Sequence, residues 1–213
     1  LCIIANYSEQ FVLNDIERNQ LMRFCLEYVS GRVPVIVTCS HFSTQVVEER
    51  CQTAAKLGAD MIMLMPPYHG VGLQVDEVAI FEYFDRAADA GQIPIMVQDA
   101  PLSGVHLSVP LLVKMAKSIP LLQYFKIETP HAASKLNALI SQGGDSIVGP
   151  FDGEEGITLM VDVTRMPENS FGSVPTPALV APIEFTMKKE DFHQMGGHMD
   201  FIRKLEEVSE ERE

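Results

Sequence analysis

The sequence predicts an α/β fold in which short buried strands alternate with amphipathic helices. Short apolar runs recur from residue 1 to about residue 160, and each run is followed by polar residues and then by a helical pattern. The ends of successive runs lie about 22 to 33 residues apart, which fits a repeated βα unit. The runs are apolar throughout rather than alternating, as parallel strands buried on both faces require.

Six runs are predicted as strands. They are LCIIA (1–5), VPVIVT (33–38), DMIMLM (60–65), IPIMVQ (93–98), LLQYFKI (121–127) and SIVG (146–149). None comes near the roughly 20 apolar residues that a membrane-spanning helix needs.

The first two helices are predicted from their end signals. Asn14 followed by Glu17 makes a capping box before an apolar stripe. Ser43 or Thr44 opens the second helix, and Gly58 can end it in a left-handed cap.

The remaining three helices are predicted in the same way. Asp76 precedes the third helix and Gly91 terminates it. A cap residue with a proline close behind it marks the starts of the fourth and fifth helices, at Ser108 and at Thr129.

Composition narrows the function classes. The 213 residues contain 16 Lys+Arg against 29 Asp+Glu, a formal charge of −13, and no basic run interrupts the acidity. A surface this acidic repels phosphate backbones and anionic headgroups. We therefore expect neither nucleic acid nor a membrane as a partner.

The four cysteines bear on the compartment. Cys2, Cys25, Cys39 and Cys51 all lie in the first quarter of the chain and form no C-x-x-C pair. Reduced thiols in a cytoplasmic protein are the expected state.

Two architectures use a βα repeat, the open doubly wound sheet and the closed (β/α)8 barrel. No strand end carries the G-x-G-x-x-G turn typical of dinucleotide-binding open sheets. Polar residues instead follow nearly every strand, as in a barrel whose active site is built from many strand ends. They are Asn6, Tyr7, Ser8 and Glu9, then Ser40 and His41, Tyr68 and His69, Gln98 and Asp99, Lys126 to Glu128, and Asp152.

Lys126 is the most informative of these residues. It lies late in a central strand, where alternation places it on the same face as Leu122 and Tyr124. One interpretation is a lysine in an ion pair with Glu128 or Asp152. The other is an amine whose pKa is lowered by desolvation for Schiff-base chemistry on a ketone. The strand pattern leaves both interpretations open.

Several segments resemble one enzyme family. They are ANYSEQF at 5–11, GRVPVIVTCSHFSTQ at 31–45, MPPYHG at 65–70, IPIMVQDAP at 93–101, YFKIETP at 124–130 and GPFDGEE at 149–155. Together they resemble the dihydrodipicolinate synthase/N-acetylneuraminate lyase family of Schiff-base (β/α)8 enzymes, and within it the L-2-keto-3-deoxyarabonate dehydratase branch. The resemblance covers residues 1 to about 162.

The resemblance assigns roles to individual residues. It makes Lys126 the Schiff-base lysine and the turn from Asn6 through Tyr7 and Ser8 to Glu9 the site for a 2-keto acid carboxylate. It also makes Tyr68 a member of a proton relay, although simple packing is an equally common role for such an aromatic residue.

The other polar residues at the strand ends are expected to contact substrate. They are Ser40, His41, His69, Gly149 and Asp152. For His41 and His69, a structural hydrogen-bonded histidine is the commoner alternative. The resemblance implies no cofactor and no metal, a small 2-keto acid as the bound molecule, and a homo-oligomer, usually a tetramer.

Gln98 departs from the family pattern. Most members carry a tyrosine at this point that takes a proton during aldol cleavage, and a glutamine cannot ionise to do so. The change favours a hydro-lyase that dehydrates a 2-keto-3-deoxy sugar acid. An aldolase acting on or forming pyruvate is one alternative, and a catalytically inactive fragment is another.

The domain prediction follows from where the resemblance stops. Residues 1–162 are expected to form a partial barrel with its second to seventh strands, and without its first and eighth βα units. Residues 163–213 are expected to form an unassigned tail, loop-like at first and then an acidic helix from about Met199.

Overall fold

The computed structural model describes residues 1–68, 75–153, 171–175 and 184–188. Its strands are β1 (Cys2–Ile3), β2 (Ile36–Thr38), β3 (Met61–Leu64), β4 (Ile95–Asp99), β5 (Leu122–Ile127), β6 (Gly149–Asp152), β7 (Phe171–Pro175) and β8 (Glu184–Lys188). Its α-helices are α1 (Asp15–Val29), α2 (Thr44–Leu57), α3 (Glu77–Gly91), α4 (Val109–Ser118) and α5 (Ala132–Gly143).

The strands form one sheet in chain order, parallel from β1 to β7 and antiparallel between β7 and β8. The first six strands form a curled half-barrel with helices, so the prediction of a partial (β/α)8 barrel is confirmed. In parallel strands joined by helices, the carboxyl ends all lie on one side of the sheet. The polar residues that follow the strands therefore share that side.

The main core lies between the outer face of the sheet and the helices. Outward side chains of four neighbouring strands are fully buried there. They are Val37, Ile62, Val97 and Phe125, and they pack in one cluster with Val47, Phe84, Leu112 and Leu136 from the helices. Each such side chain contributes roughly 1.5–3 kcal/mol to folding by its removal from water.

The inner face carries a different set of residues. Met63, Met96, Tyr124 and Gly149 are paired in register across four strands. One layer nearer the carboxyl ends, Gln98 pairs with Lys126, and Lys126 pairs with Phe151. Polar and functional side chains thus enter the concave side at the end of the sheet where active sites of barrels lie.

The helix-start predictions are confirmed for the first four helices. The side chain of Asn14 accepts hydrogen bonds from the main-chain N–H groups of Ile16 and Glu17, and the side chain of Glu17 accepts one from the N–H of Asn14. Ser43, Asp76 and Ser108 are the N-caps of α2, α3 and α4. Asn14, Asp76 and Ser108 cap through a side-chain hydrogen bond, which stabilises a helix by about 1 kcal/mol. Ser43 makes no such side-chain bond.

One predicted helix start is wrong, and the predicted end of α3 is confirmed. The N-cap of α5 is His131, in the left-handed region with φ 66°, and not Thr129. The left-handed cap of α3 is Gln92, and Gly91 is its last helical residue. Gly91 is small for a packing reason, since a Cβ there would lie 2.7 Å from Cδ1 of Ile62.

The sixth strand begins three residues later than the pattern predicts. Residues 144–146 form a short 3-10 turn, and β6 runs over Gly149–Asp152 instead of 146–149. The apolar run has another role, because Ile147 packs against the core and against Gly143. Asp152 therefore ends the strand rather than following it.

The tail is not loop-like throughout. Phe171–Pro175 and Glu184–Lys188 are strands, so the prediction of a loop-like start is wrong for these residues. β7 pairs in parallel with β6, whose main-chain groups would otherwise lie unpaired at the edge of the sheet. The predicted acidic helix from about Met199 lies outside the described residues.

Candidate active site

Lys126 lies on the concave face of β5 beside Tyr124. Its neighbours in sequence, Phe125 and Ile127, are fully buried on the opposite, helix-packed face. The prediction that Leu122 shares the face of Lys126 is wrong. Ile95 pairs with Leu122 but Met96 pairs with Tyr124, so a bulge at residue 123 moves Leu122 into the helix-side core.

Glu128 is the immediate partner of the lysine. Its Oε1 lies 2.8 Å from Nζ of Lys126, and the two side chains are 18% and 22% exposed. The structure therefore contains the ion pair that is one of the two interpretations of Lys126, with Glu128 as the partner. It does not exclude the Schiff-base interpretation, because a partly buried carboxylate at this distance can also accept the proton that the amine must lose.

Gln98 contacts the same carboxylate from the neighbouring strand. Its Nε2 donates to Oε1 and Oε2 of Glu128, at 3.1 and 3.3 Å. Gln98 is only 1% exposed, and within the described part of the chain its Oε1 has no hydrogen-bond partner. An amide held at one end thus leaves a buried acceptor oxygen, which a substrate hydroxyl could satisfy.

Glycines allow this close arrangement. A Cβ at Gly153 would lie 2.4 Å from Cγ of Glu128 and 3.0 Å from Cε of Lys126. A Cβ at Gly149 would lie 2.3 Å from the ring of Tyr124. Gly149, predicted to contact substrate, thus makes room for Tyr124, and Gly153 makes room for the ion pair.

The turn after β1 carries the residues predicted to hold a substrate carboxylate. Asn6–Ser8 is one turn of 3-10 helix, and the N–H groups of Ser8 and Glu9 donate to the carbonyls of Ala5 and Asn6. A 3-10 turn leaves its first N–H groups, here those of Asn6 and Tyr7, without acceptors inside the turn. Glu9 adopts the left-handed region with φ 52° and closes the turn.

Ser40 and His41 follow β2, and both have local hydrogen-bond roles. The buried Oγ of Ser40 accepts from the N–H of Met65 at 2.9 Å. Nδ1 of His41 accepts from the N–H of Ser43 at 3.0 Å, at the start of α2. Burial lowers the pKa of His41, and Arg50 lowers that pKa further. These contacts favour the structural alternative for His41.

Tyr68 follows β3 and lies among aromatic rings. Its ring packs edge-on against Phe11, with centroids 5.5 Å apart, and near Phe42 at 6.3 Å. Burial raises the pKa of the Tyr68 hydroxyl, partly offset by Arg50 and Arg18. Phe11 follows the turn after β1, so Tyr68 connects that turn with β3. His69, the neighbouring candidate, lies outside the described residues.

Asp152 faces away from Lys126. Gly149 and Gly153 border the concave face, so Asp152, one residue before Gly153, alternates to the other face, and it pairs in register with Ile127. It is buried there. Asp99 lies on the same outer face, where its carboxylate forms a 2.5 Å ion pair with Lys135 of α5. Burial raises the pKa of Asp99, and Lys135 opposes that shift.

Sequence reasoning did not identify every residue that the geometry brings together. The sequence pattern indicates Glu128 only as an ion-pair partner, although its position two residues after the lysine on one strand face is a usable signal. Thr129 was considered only as a helix cap, yet its Oγ1 is buried and has no partner among the described residues. No sequence signal marked Gly153 as the residue that makes room for the ion pair.

The described residues hold no group of three or more His, Cys, Asp or Glu side chains placed to bind a metal ion. In the same part of the chain, no helix has the length and apolar character needed to cross a membrane.

Comparisons with known proteins support the fold. The model of the dihydrodipicolinate synthetase family matches residues 1–154. The solved dihydrodipicolinate synthase from Aquifex aeolicus superposes with a TM-score of 0.72 at 20% identity, over 79% of this chain and 56% of that one. YagE of Escherichia coli K12, a member of the same family solved with pyruvate, gives 0.66 at 25% identity, over 76% and 55%.

Curated relatives are more similar in sequence. The L-2-keto-3-deoxyarabonate dehydratase of Azospirillum brasilense is 60% identical over 163 residues, which are 76% of this chain and 53% of that protein. The 4-hydroxy-tetrahydrodipicolinate synthase of Exiguobacterium sibiricum is 39% identical over 127 residues, 59% of this chain and 42% of that protein. The chain thus spans about half the length of the curated relatives it matches.

Proposed function

The chain belongs to the dihydrodipicolinate synthetase family, and on that premise we propose that it dehydrates a 2-keto-3-deoxy sugar acid through a Schiff base on Lys126. The proposed substrate is L-2-keto-3-deoxyarabonate and the product is 2-oxoglutarate semialdehyde. The observation that carries the proposal is the carboxylate of Glu128 shared between Lys126 and Gln98. The 60% identity to a dehydratase of that substrate supports the choice of sugar acid.

Formation of the Schiff base begins with a proton transfer. Glu128 Oε1, 2.8 Å from Nζ, takes a proton from the lysine, and the neutral amine adds to the C2 ketone. The carbinolamine then loses its hydroxyl as water, with the proton supplied by Glu128. The product is an iminium ion that withdraws electrons from C3.

Elimination uses the same carboxylate. Glu128 removes a proton from C3 to give an enamine, and the enamine expels the C4 hydroxyl as water when that hydroxyl receives the proton. Loss of a C5 proton gives a dienamine whose C5 is an enol, and return of a proton to C3 restores the iminium. Tautomerisation of the enol gives the C5 aldehyde, and hydrolysis of the iminium frees Lys126. One water is lost overall, because the water released in Schiff-base formation is returned in its hydrolysis.

Gln98 favours elimination over carbon–carbon cleavage. Retro-aldol cleavage needs a base that removes the C4 hydroxyl proton, and an amide has no such capacity at neutral pH. The buried Oε1 of Gln98 instead accepts a hydrogen bond from a substrate hydroxyl and orients it.

The turn after β1 is the proposed carboxylate site. The N–H groups of Asn6 and Tyr7 and the hydroxyl of Ser8 are donors of the kind that bind an anion. Tyr68, next to Phe11, is the proposed member of a proton relay to this end of the site. Ser40, His41, His69, Gly149 and Asp152 stay proposals as substrate contacts, and the structural contacts of His41 and the outward face of Asp152 weigh against these two.

Further proposals concern the surroundings of the enzyme. The bound molecule is a small 2-keto acid, and no cofactor takes part. A reducing, cytoplasmic location stays a proposal from the sequence, in which the four cysteines form no C-x-x-C pair. A homo-oligomer, a tetramer by resemblance, is the proposed assembly.

The test is a product analysis. The chain is incubated with L-2-keto-3-deoxyarabonate, and 2-oxoglutarate semialdehyde and pyruvate are quantified separately, with Lys126→Ala as the inactive control. Semialdehyde as the main product supports the dehydratase. Pyruvate as the main product would replace it by the aldolase alternative, and the absence of both would favour the inactive fragment.

A further inference from the structure

Arg18, on α1, is a buried arginine that the proposed reaction does not use. Its side chain is only 2% exposed. Nη1 donates to the carbonyl of Gln10 at 3.0 Å, and Nη2 donates to the carbonyl of Thr38 at 2.5 Å. One guanidinium therefore joins the segment after β1 to the last residue of β2.

Gln10 extends this connection into the turn that is the proposed carboxylate site. Gln10 is itself buried, and its Nε2 donates to Oδ1 of Asn6 at 2.6 Å. Asn6 is the first residue of the 3-10 turn. The path from Arg18 to Asn6 thus consists of two hydrogen bonds and the side chain of Gln10, and it runs from the buried Arg18 to the partly buried Asn6.

The hydrogen bond from Arg18 to the carbonyl of Thr38 connects the guanidinium to the sheet that carries Lys126. Thr38 pairs in register with Met63, and the sheet continues through Met96 to Tyr124, two residues before Lys126 on the same face. The proposed Schiff-base lysine and Thr38 therefore belong to one continuous hydrogen-bonded sheet. The turn follows the two-residue strand β1, which pairs with β2 over Cys2 and Ile3.

A buried guanidinium makes the link difficult to break. Separation of the turn from β2 would leave a buried charge without one of its acceptors, which is strongly unfavourable. An arginine stays protonated in proteins, so it cannot avoid this cost by becoming neutral. Loss of either carbonyl contact is therefore strongly disfavoured.

We propose that Arg18 is a positioning residue that holds the Asn6–Ser8 turn at a fixed place relative to the end of β2, so that the turn can bind the carboxylate of a 2-keto acid whose ketone lies at Lys126. This inference rests on the proposed function. Arg18 acts through Gln10 and Asn6 and does not touch the substrate. Its removal weakens recognition of the carboxylate more than it slows the chemistry at Lys126.

The first test measures trapping by borohydride on the 213-residue chain. The rate of adduct formation is followed against the concentration of pyruvate and, separately, of methyl pyruvate, whose ester carries no negative charge. For Arg18→Met we expect the half-saturating pyruvate concentration to rise at least fivefold, with a maximal rate within about twofold, and the half-saturating concentration of methyl pyruvate to stay unchanged. Arg18→Lys, whose single ammonium replaces a fork that reaches two carbonyls, should fall between these values.

The matched control is Arg23→Met, since Arg23 lies on the same helix but is exposed. If Arg18→Met does not fold, Gln10→Leu serves in its place, because it removes the hydrogen bond to Asn6 while Arg18 keeps both carbonyl acceptors. Gln10→Leu should also raise the half-saturating concentration of pyruvate. An equal loss for pyruvate and methyl pyruvate would mean a general structural role and would overturn the proposal.

The second test measures the local stability of the Asn6–Ser8 turn in the absence of any ligand. Hydrogen exchange of the Ser8 and Glu9 amides, which donate within the turn, should be at least tenfold faster in Arg18→Met and unchanged in Arg23→Met. Unchanged exchange in Arg18→Met would overturn the positioning role. Absence of any adduct on the unmodified chain would instead overturn the proposed Schiff-base function, so the two failures are distinguishable.

Discussion

Gln98 and Lys126 are paired in register on adjacent parallel strands, and both side chains reach the carboxylate of Glu128. The lysine contributes an ion pair of 2.8 Å and the glutamine an amide hydrogen bond of 3.1 Å. Because both side chains bind the same carboxylate, we expect a substitution at any of the three residues to change the contacts of the other two.

Lys126 should form the covalent adduct. In the presence of pyruvate and borohydride, intact-protein mass spectrometry should show the addition of one reduced pyruvate, because a neutral amine next to Glu128 can add to the ketone. Lys126→Ala should abolish the adduct, and the exposed-site variant Lys56→Ala should retain it. An adduct that survives Lys126→Ala would exclude this lysine as the nucleophile.

Glu128→Gln should separate binding from proton transfer. The variant keeps the shape of the side chain but cannot accept a proton, so dehydration should fall about 10²- to 10⁴-fold, the usual contribution of a general base. Steady-state assay of semialdehyde formation measures the effect, with exposed Glu49→Gln as control. A loss smaller than about fivefold would assign the proton transfers to another group.

Gln98→Tyr should change the partition between elimination and cleavage. Loss of the amide that orients the substrate hydroxyl should lower dehydration about tenfold, the effect of one lost hydrogen bond. A phenol in its place can take part in proton transfer and should introduce some release of pyruvate. Separate quantification of the two products tests this, with exposed Gln45→Tyr as control. Equal dehydration by both variants would show that Gln98 does not take part.

Gly153→Ala should disturb the ion pair by steric pressure alone. The new methyl group would lie 2.4 Å from Cγ of Glu128, so the carboxylate must move away from Lys126. We expect the rate of borohydride trapping to fall severalfold and the melting temperature to change little, because the displaced side chains are partly exposed. An unchanged trapping rate would mean that the position of Glu128 is not critical for adduct formation.

His41 should make the stability of the chain depend on pH. Burial, reinforced by Arg50, lowers its pKa below the usual 6.5, so the unfolded chain binds a proton more readily than the folded one. This contribution is fully present above pH 6.5 and is lost as the pH falls through the folded pKa. The free energy of unfolding is measured with urea at about pH 7.5 and at about pH 5. Between these pH values it should fall less in His41→Asn than in the unmodified chain, and the asparagine keeps an acceptor for the N–H of Ser43. The exposed variant His131→Asn should behave like the unmodified chain, and an unchanged loss in His41→Asn would contradict the assignment.

Local signals predicted the parts of the fold that depend on neighbours in sequence. The alternation of apolar runs and amphipathic stripes identified the strands and helices, and the side chains of Asn14, Asp76 and Ser108 cap their helices as expected. The α5 start at Ala132 was missed because the backbone of His131 takes a left-handed cap that residue type alone does not indicate.

Register was less accessible to prediction. The bulge at residue 123 changed the face that Leu122 occupies, and the late start of β6 placed Asp152 inside the strand instead of after it. In both places, apolar side chains suited a strand in either position, and hydrogen bonds to the neighbouring strand selected one. A shift of one residue reverses the face of every side chain, so small differences in pairing had large effects on the candidate site.

The sequence by itself determined the βα repeat, the acidic character of the chain and the presence of a lysine near the end of a central strand. Only the tertiary structure decided that Glu128 joins Lys126 to Gln98, that Gly153 leaves room for them, and that Arg18 connects the turn after β1 to β2. The physical reason is the separation in sequence of the residues that interact. Helical and strand periodicity arise from contacts between residues only a few positions apart. The convergence of Gln98 on Glu128, 30 residues away, depends on how two strands align across a hydrogen-bonded sheet.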